Sequence, residues 1–145
     1  MIKEFEKLSK EEAALLFIAP VLVSVFVSCS YNEINKAQKG DAIKLAHLKT
    51  FTAKPALLDY YGEVDKIFKE EFEQAVKKYH PFDNIKRTAL KKEIEKINKI
   101  ILKLDKDFGA LMYKSLAGYA RHVRKAAHSI FQDFVFPFHI EGLSD

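Results

Sequence analysis

The sequence of 145 residues has the length of one domain, and its apolar fraction of 48% is too high for a disordered chain. Only 5 Gly and 4 Pro occur, which favours helices over a sheet. The net charge of +4 is spread along the chain, whereas a dedicated nucleic-acid binder concentrates its charge on one face. We therefore predict one all-α domain over residues 1–145, a compact bundle of about five helices around a buried first helix.

The first predicted helix begins at a capping box formed by Ser9 and Glu12. In such a box the serine accepts a hydrogen bond from a free backbone N–H, and the glutamate reaches back to the serine N–H. The helix is predicted to run to about Ser28, with a kink or an unpaired carbonyl caused by Pro20. Because it is apolar on nearly every side, we expect it to lie at the centre of the bundle.

The segment 13–29 holds 17 residues without a charge, the lower edge of what spans a bilayer. It ends in a faint likeness to a lipoprotein cleavage motif, but Phe26 is a poor residue three places before a lipidated cysteine. The twelve residues before the segment hold four Glu against three Lys, whereas a signal peptide starts with positive charge. Pro20 and Ser24 also interrupt the run. We therefore predict a buried helix, no transmembrane span and a cytoplasmic protein.

Cys29 is the only cysteine in the chain. One thiol cannot form an internal disulfide or a cysteine-based metal cage. Its neighbours are apolar, so we interpret it as a small buried side chain in a reducing compartment rather than a nucleophile.

Two further helices are predicted before residue 80. A break over 30–35, with a turn at Tyr31 and Asn32, precedes a helix that ends before Pro55, because the residue before a proline disfavours the helical conformation. The next helical region covers about 56–79, where apolar residues repeat at three and four. Gly62 is a candidate position for a bend.

The fourth helix is predicted over about 84–106, with Asp83 as its N-cap. Its apolar residues recur at spacings of four, three, four and three, which is typical of a stripe packed against other helices. They are Leu90, Ile94, Ile97, Ile101 and Leu104. A fifth helix is predicted over about 108–131, and the apolar tail 134–138 is expected to pack on the core.

Two consecutive segments carry opposite charge, −4 over residues 59–73 and +6 over residues 77–103. We interpret them as compensating each other on solvated faces, where each exposed pair adds about 0–1 kcal/mol. The alternative is a basic surface on the helix 86–106 for nucleic acid or an anionic membrane. That surface would consist of Lys86, Arg87, Lys91, Lys92, Lys96, Lys99 and Lys103.

No catalytic pattern is visible. The histidines are His47, His80, His122, His128 and His139. No two of them have the three- or four-residue spacing that places two metal ligands on one helical face. The sequence also lacks HExxH, a glycine-rich phosphate loop and a nucleophile elbow. We therefore assign no catalytic residue and no cofactor.

The chain reads LSKEEAALLFIAPVLV in its first helix, then SYNEINKAQ, and much later YKSLAGYARHVRKAAHSIF before the ending IEGLSD. This order resembles the TerB-like family, an all-helical tellurite-resistance domain whose members carry an A-D-G-x-I-x-x-x-E motif after the first helix. Ile34 matches the isoleucine of that motif. The resemblance implies an all-helical fold with acidic clusters that bind divalent metal.

The metal-binding positions of the resembled motif are altered in this chain. Tyr31 stands at its aspartate, Asn32 at its glycine and Gln38 at its last glutamate. Because calcium takes several carboxylate oxygens, and neutral amides complete a site but do not anchor one, we expect no specific calcium binding here.

We therefore expect a noncatalytic, stress-related domain that binds another protein or serves as a scaffold. The first alternative is binding of nucleic acid or an anionic membrane surface through the helix 86–106. The second alternative is a small-ligand binder or an enzyme with a site dispersed through the fold.

Overall fold

The computed structural model describes residues 2–30 and 33–125. Those residues form six α-helices: α1 (Lys10–Phe17), α2 (Ala19–Ser28), α3 (Lys36–Thr52), α4 (Leu58–Tyr79), α5 (Asn84–Ile101) and α6 (Lys106–Lys125). Short 3-10 turns at Lys3–Phe5 and Pro55–Leu57 precede α1 and α4. Two short strands, β1 (Cys29–Ser30) and β2 (Glu33–Ile34), pair antiparallel between α2 and α3. The predicted all-α bundle is confirmed, with six helices rather than about five.

The first predicted helix is two helices, because the chain bends by 46° between α1 and α2. The capping box is confirmed: the Ser9 hydroxyl accepts from the Glu12 N–H, and a Glu12 carboxylate oxygen accepts from the Ser9 N–H. Ile18 leaves the helical conformation, and Pro20 then lies in the first turn of α2, where its missing N–H costs no hydrogen bond. The predicted kink is thus a complete break.

Helix α2 is the centre of the bundle. All ten of its residues are buried, and it packs against α3, α4, α5 and α6. The expected burial is therefore confirmed for α2, whereas α1 keeps one side open to solvent. No single helix in the described ranges is long and apolar enough to cross a membrane, and α1 with α2 reach that length only as a bent pair.

Helices α3 and α4 form an antiparallel pair joined by the turn before Leu58. The predicted end of α3 before Pro55 is confirmed, since the helix stops at Thr52. Helix α4 continues without a break through Gly62, the candidate position for a bend.

Helix α5 begins where it was predicted, with the Asp83 carboxylate accepting from the Lys86 N–H, but it ends at Ile101 rather than near residue 106. Hydrogen bonds from the N–H groups of Lys103 and Leu104 to carbonyls three residues earlier tighten the chain into a turn. All five residues of the predicted apolar stripe are buried. The predicted end of the last helix near 131 and the tail 134–138 lie outside the described residues.

Three tyrosine hydroxyls are buried in the core and each has a hydrogen-bond partner. Tyr60 donates to the Leu16 carbonyl, the Tyr61 and Ser115 hydroxyls are hydrogen-bonded to each other, and Tyr119 donates to the carbonyl of Ala42 at 2.6 Å. These bonds tie α4 to α1 and α6, and α6 to α3. Burial raises the pKa of each of the three hydroxyls above its usual range, so they stay protonated at neutral pH.

Candidate functional site

The lysines of the predicted basic surface lie in the solvent. Lys86, Lys91, Lys92, Lys96, Lys99 and Lys103 are all exposed. Four of them, Lys92, Lys96, Lys99 and Lys103, repeat at four, three and four, which places them on one side of α5 and of the turn that follows it. We call these four residues the lysine row.

Arg87 is placed apart from these lysines. Its guanidinium donates to the Cys29 carbonyl at 2.8 Å and lies 4.7 Å from the centre of the Phe26 ring. The side chain is half-buried and holds α5 against β1 and the end of α2. Arg87 therefore contributes to the packing of the bundle more than to a basic surface.

An open groove of about 760 Å³ runs between α1 and α5. Its walls are mostly apolar, and charged side chains line its two edges. The apolar residues are Ala14, Leu15, Ile18 and Ile100, and the charged ones are Glu11, Glu12, Glu71, Glu93, Lys96, Lys99 and Lys103. Three members of the lysine row thus border the groove, so the predicted basic surface meets an apolar surface there.

Two ion pairs shape the groove. The Lys103 ammonium bonds the Glu12 carboxylate and so links the two edges at one end. That hydrogen bond, with the one from the Ser9 N–H, lowers the pKa of Glu12. Within α5, the Nζ atom of Lys96 lies 2.7 Å from the Oε2 atom of Glu93.

The two oppositely charged segments do not pack side by side along their length, since α5 rests mainly on α2 and α1 rather than on α4. Within the described ranges, no lysine of 77–103 forms an ion pair with a carboxylate of 59–73. Lys66 of the acidic segment pairs with its own neighbour Glu63. The two segments therefore compensate each other only in their overall charge. Of the acidic segment, Glu71 alone lines the groove with the lysines.

Side chains at the junction after α2 hold α3 in place. Ile34 packs against the core, and the Asn35 side chain caps α3 by accepting from the N–H of Gln38. Gln38 is buried and donates through Nε2 to the Arg124 carbonyl at 3.4 Å, and Asp41 lies 2.7 Å from His122. Tyr31 and Asn32 lie outside the described residues.

No cluster of three or more His, Cys, Asp or Glu suited to a metal ion occurs in the part of the chain that the structure describes. His47 and His122 each contact one carboxylate, of Asp65 at 3.2 Å and of Asp41. The Gln38 and Asp41 side chains are engaged with α6, so a cation at the junction would have to displace contacts that hold the bundle together.

Cys29 has the environment of an unreactive thiol. It is buried in β1, and burial raises its pKa to about 12 despite the opposing effect of the nearby Arg87 charge. The nucleophile in cysteine chemistry is the thiolate, which is scarcely populated at neutral pH with such a pKa.

No protein-family model, no curated protein and no solved structure matches this chain. The resemblance to the TerB-like family therefore stays a prediction from the motifs. The groove was not predicted from the sequence: Leu15 and Ile18 were assigned to the core with the rest of the first helix. Pro20 is the one sequence feature at the boundary between α1 and the fully buried α2, and it does not by itself indicate a groove.

Proposed function

We propose that the chain is a noncatalytic, stress-related helical domain, related to the TerB-like family, that binds another protein through the groove between α1 and α5. The observation that carries this proposal is the apolar floor of that groove. Ala14 is exposed, and Leu15 and Ile18 are partly buried against the core, so three neighbouring apolar side chains form the floor of the groove. Exposed apolar surface rimmed by polar residues is typical of protein interaction sites.

A protein partner fits the groove better than a small ligand does. Small-ligand sites enclose most of the ligand and aim a few polar groups at it. This groove is open, its walls are mostly apolar, and its charged groups stand at the edges, where Lys96 and Lys103 are already paired with glutamates. An enzyme with a dispersed site is accordingly the weakest of the three candidates.

The test uses a fluorescein-labelled synthetic amphipathic helix with a leucine stripe, followed by fluorescence anisotropy. We expect saturable binding that the substitution Ala14→Lys weakens at least about tenfold, since a lysine there fills the floor with a charged chain. Ala14 is exposed, so the fold should tolerate the change. Ala89→Lys, at an exposed alanine of α5 outside the groove, is the matched control and should bind as the unmodified chain does. Equal loss in both variants, or no binding at all, would contradict the proposal.

The exposed lysines favour a second candidate, an anionic surface such as nucleic acid. Six lysines of α5 and the following turn project into solvent, enough for a salt-dependent attraction to phosphates. The acidic edge beside three of them opposes that attraction.

A further inference from the structure

We infer that the groove binds an amphipathic helix whose two edges carry opposite charge, acidic toward α5 and basic toward α1. This inference rests on the proposed function and specifies the chemistry of the partner. Its basis is the charge on the two helices that border the groove. On the α5 side, three lysines of the lysine row outnumber the single glutamate Glu93, whereas α1 contributes Glu11 and Glu12.

The dimensions suit a helix. From Lys96 to Lys103 the basic edge extends about 10 Å at roughly 1.5 Å per residue, which is about two turns of an opposing helix. The floor offers Leu15 and Ile18 to an apolar stripe, and the small side chain of Ala14 lets a helix approach closely. Helices that dock in grooves use anchors spaced at three, four and seven residues, which fit such a floor.

The charges on the two edges are available to a partner to different degrees. Lys96 and Lys103 already have glutamate partners, whereas Lys99 and Glu71 form no ion pair among the described residues. Glu11 is exposed at the edge formed by α1. A partner with acidic residues against Lys99 and basic residues against Glu11 would satisfy both edges, because opposite charges attract across a rim. Glu71 of α4 also lines the groove and would attract the basic residues of the partner.

Other occupants satisfy only part of this surface. A duplex or an anionic membrane would meet the lysines but be repelled by the glutamates, and a flat bilayer cannot reach the floor of a concave groove. A fatty acid would leave the acidic edge without a partner. A helix with sorted charges satisfies the floor and both edges. It does so in one direction only, since turning it end for end exchanges its edges.

The experiment compares two synthetic helical peptides of identical composition and identical leucine stripe. One carries glutamates along one edge and lysines along the other, and the second alternates the two residues along both edges. At low ionic strength the sorted peptide should bind about fivefold to tenfold more tightly, as expected for two or three exposed ion pairs, and added salt should shrink the difference. Lys99→Glu should abolish the preference, whereas Lys91→Glu, at an exposed lysine of α5 outside the groove, should retain it.

The outcomes separate this inference from the proposed function. Equal affinity for the two peptides, still lost with Ala14→Lys, would overturn the sorted partner and leave the groove as a protein-binding site. Failure of both peptides to bind would overturn the proposed function and the inference with it. A dimer of the free chain in analytical ultracentrifugation that Ala14→Lys converts to a monomer would assign the groove to a second copy of the chain, which also overturns the inference.

Discussion

The buried hydroxyls of Tyr60, Tyr61 and Tyr119 make the fold sensitive to alkaline pH. In the unfolded chain a tyrosine ionises near pH 10, whereas burial raises the pKa of all three in the folded protein. The folded state therefore holds protons that the unfolded state releases. Their contribution to the free energy of unfolding is complete below about pH 10 and is lost as the pH rises above that value.

We expect the free energy of unfolding, measured by urea titration, to fall steeply above about pH 10. The tyrosinate absorbance of three of the six tyrosines should appear only together with the loss of helical circular dichroism. Tyr61→Phe should move this alkaline transition to higher pH. At neutral pH this substitution should lower the free energy of unfolding only slightly, because the Ser115 side chain that loses its partner is only partly buried. Ionisation of all six tyrosines near pH 10 while the helices persist would show that the three buried hydroxyls are accessible to solvent.

At the residue scale, the sequence predicted the features that depend on neighbours a few positions away. The capping box of Ser9 and the N-cap at Asp83 are of this kind, since both partners lie within three residues. The role of Arg87 could not be predicted. Its guanidinium bonds a carbonyl 58 residues away in the sequence, and no local pattern distinguishes it from the exposed lysines around it.

At the element scale, α5 offers two isoleucines with opposite environments. Ile97 is 0% exposed in the core and Ile85 is 79% exposed on the same helix. We expect Ile97→Ala to lower the free energy of unfolding by about 2–5 kcal/mol through lost apolar contacts and the cavity it leaves. Ile85→Ala should change it by less than about 0.5 kcal/mol. Equal effects in urea denaturation would mean that α5 does not pack through its predicted stripe.

Helix positions were predicted well from periodicity, and helix ends less well. Four apolar residues of α5 recur with the helical period and are buried, as predicted. The sequence predicted a kink where the structure has two separate helices, α1 and α2. A proline inside an apolar run is compatible with either a kink or the first turn of a new helix. Only the packing of α2 decides between them. The early end of α5 depends on the turn that brings α6 back to α2, which is a tertiary constraint.

At the scale of the whole molecule, the lysine-bearing side of α5 is expected to bind duplex DNA weakly. We predict binding at low salt that disappears by physiological salt, because the glutamates of the groove repel the phosphates that the exposed lysines attract. Fluorescence anisotropy of a labelled duplex across a salt series measures this. The double variant Lys91→Glu, Lys92→Glu should bind the duplex at low salt more weakly than the unmodified chain does, because it replaces two exposed positive charges with negative ones.

Retention of duplex DNA at physiological salt with a dissociation constant of about 10⁻⁶ M or tighter would contradict this prediction, since nonspecific binding there is typically about 10⁻⁴–10⁻⁶ M. It would favour the second candidate function over the first.

The groove could not be predicted from the sequence. Its two edges come from α1 and α5, which are separated by α2, α3 and α4 in the chain. Neither helix alone indicates a binding site. The sequence predicts α1 as the start of a core helix and α5 as a helix with a solvated lysine face. Only when the two helices lie antiparallel across a shared floor do the apolar residues of α1 and the lysines of α5 form one surface.

The central position of α2 has a consequence for the synthesis of the protein. The helix leaves the ribosome before α6, one of the helices that cover it, which is completed roughly a hundred residues later. At about 5–20 residues per second, translation leaves this apolar helix without its full covering for roughly 5–20 s. Throughout that interval the nascent chain exposes a segment rich in valine that is prone to aggregate or to be captured by factors that recognise apolar nascent chains. Abundance in the cell should therefore depend on the rate of translation between α2 and α6 as well as on the stability of the finished bundle.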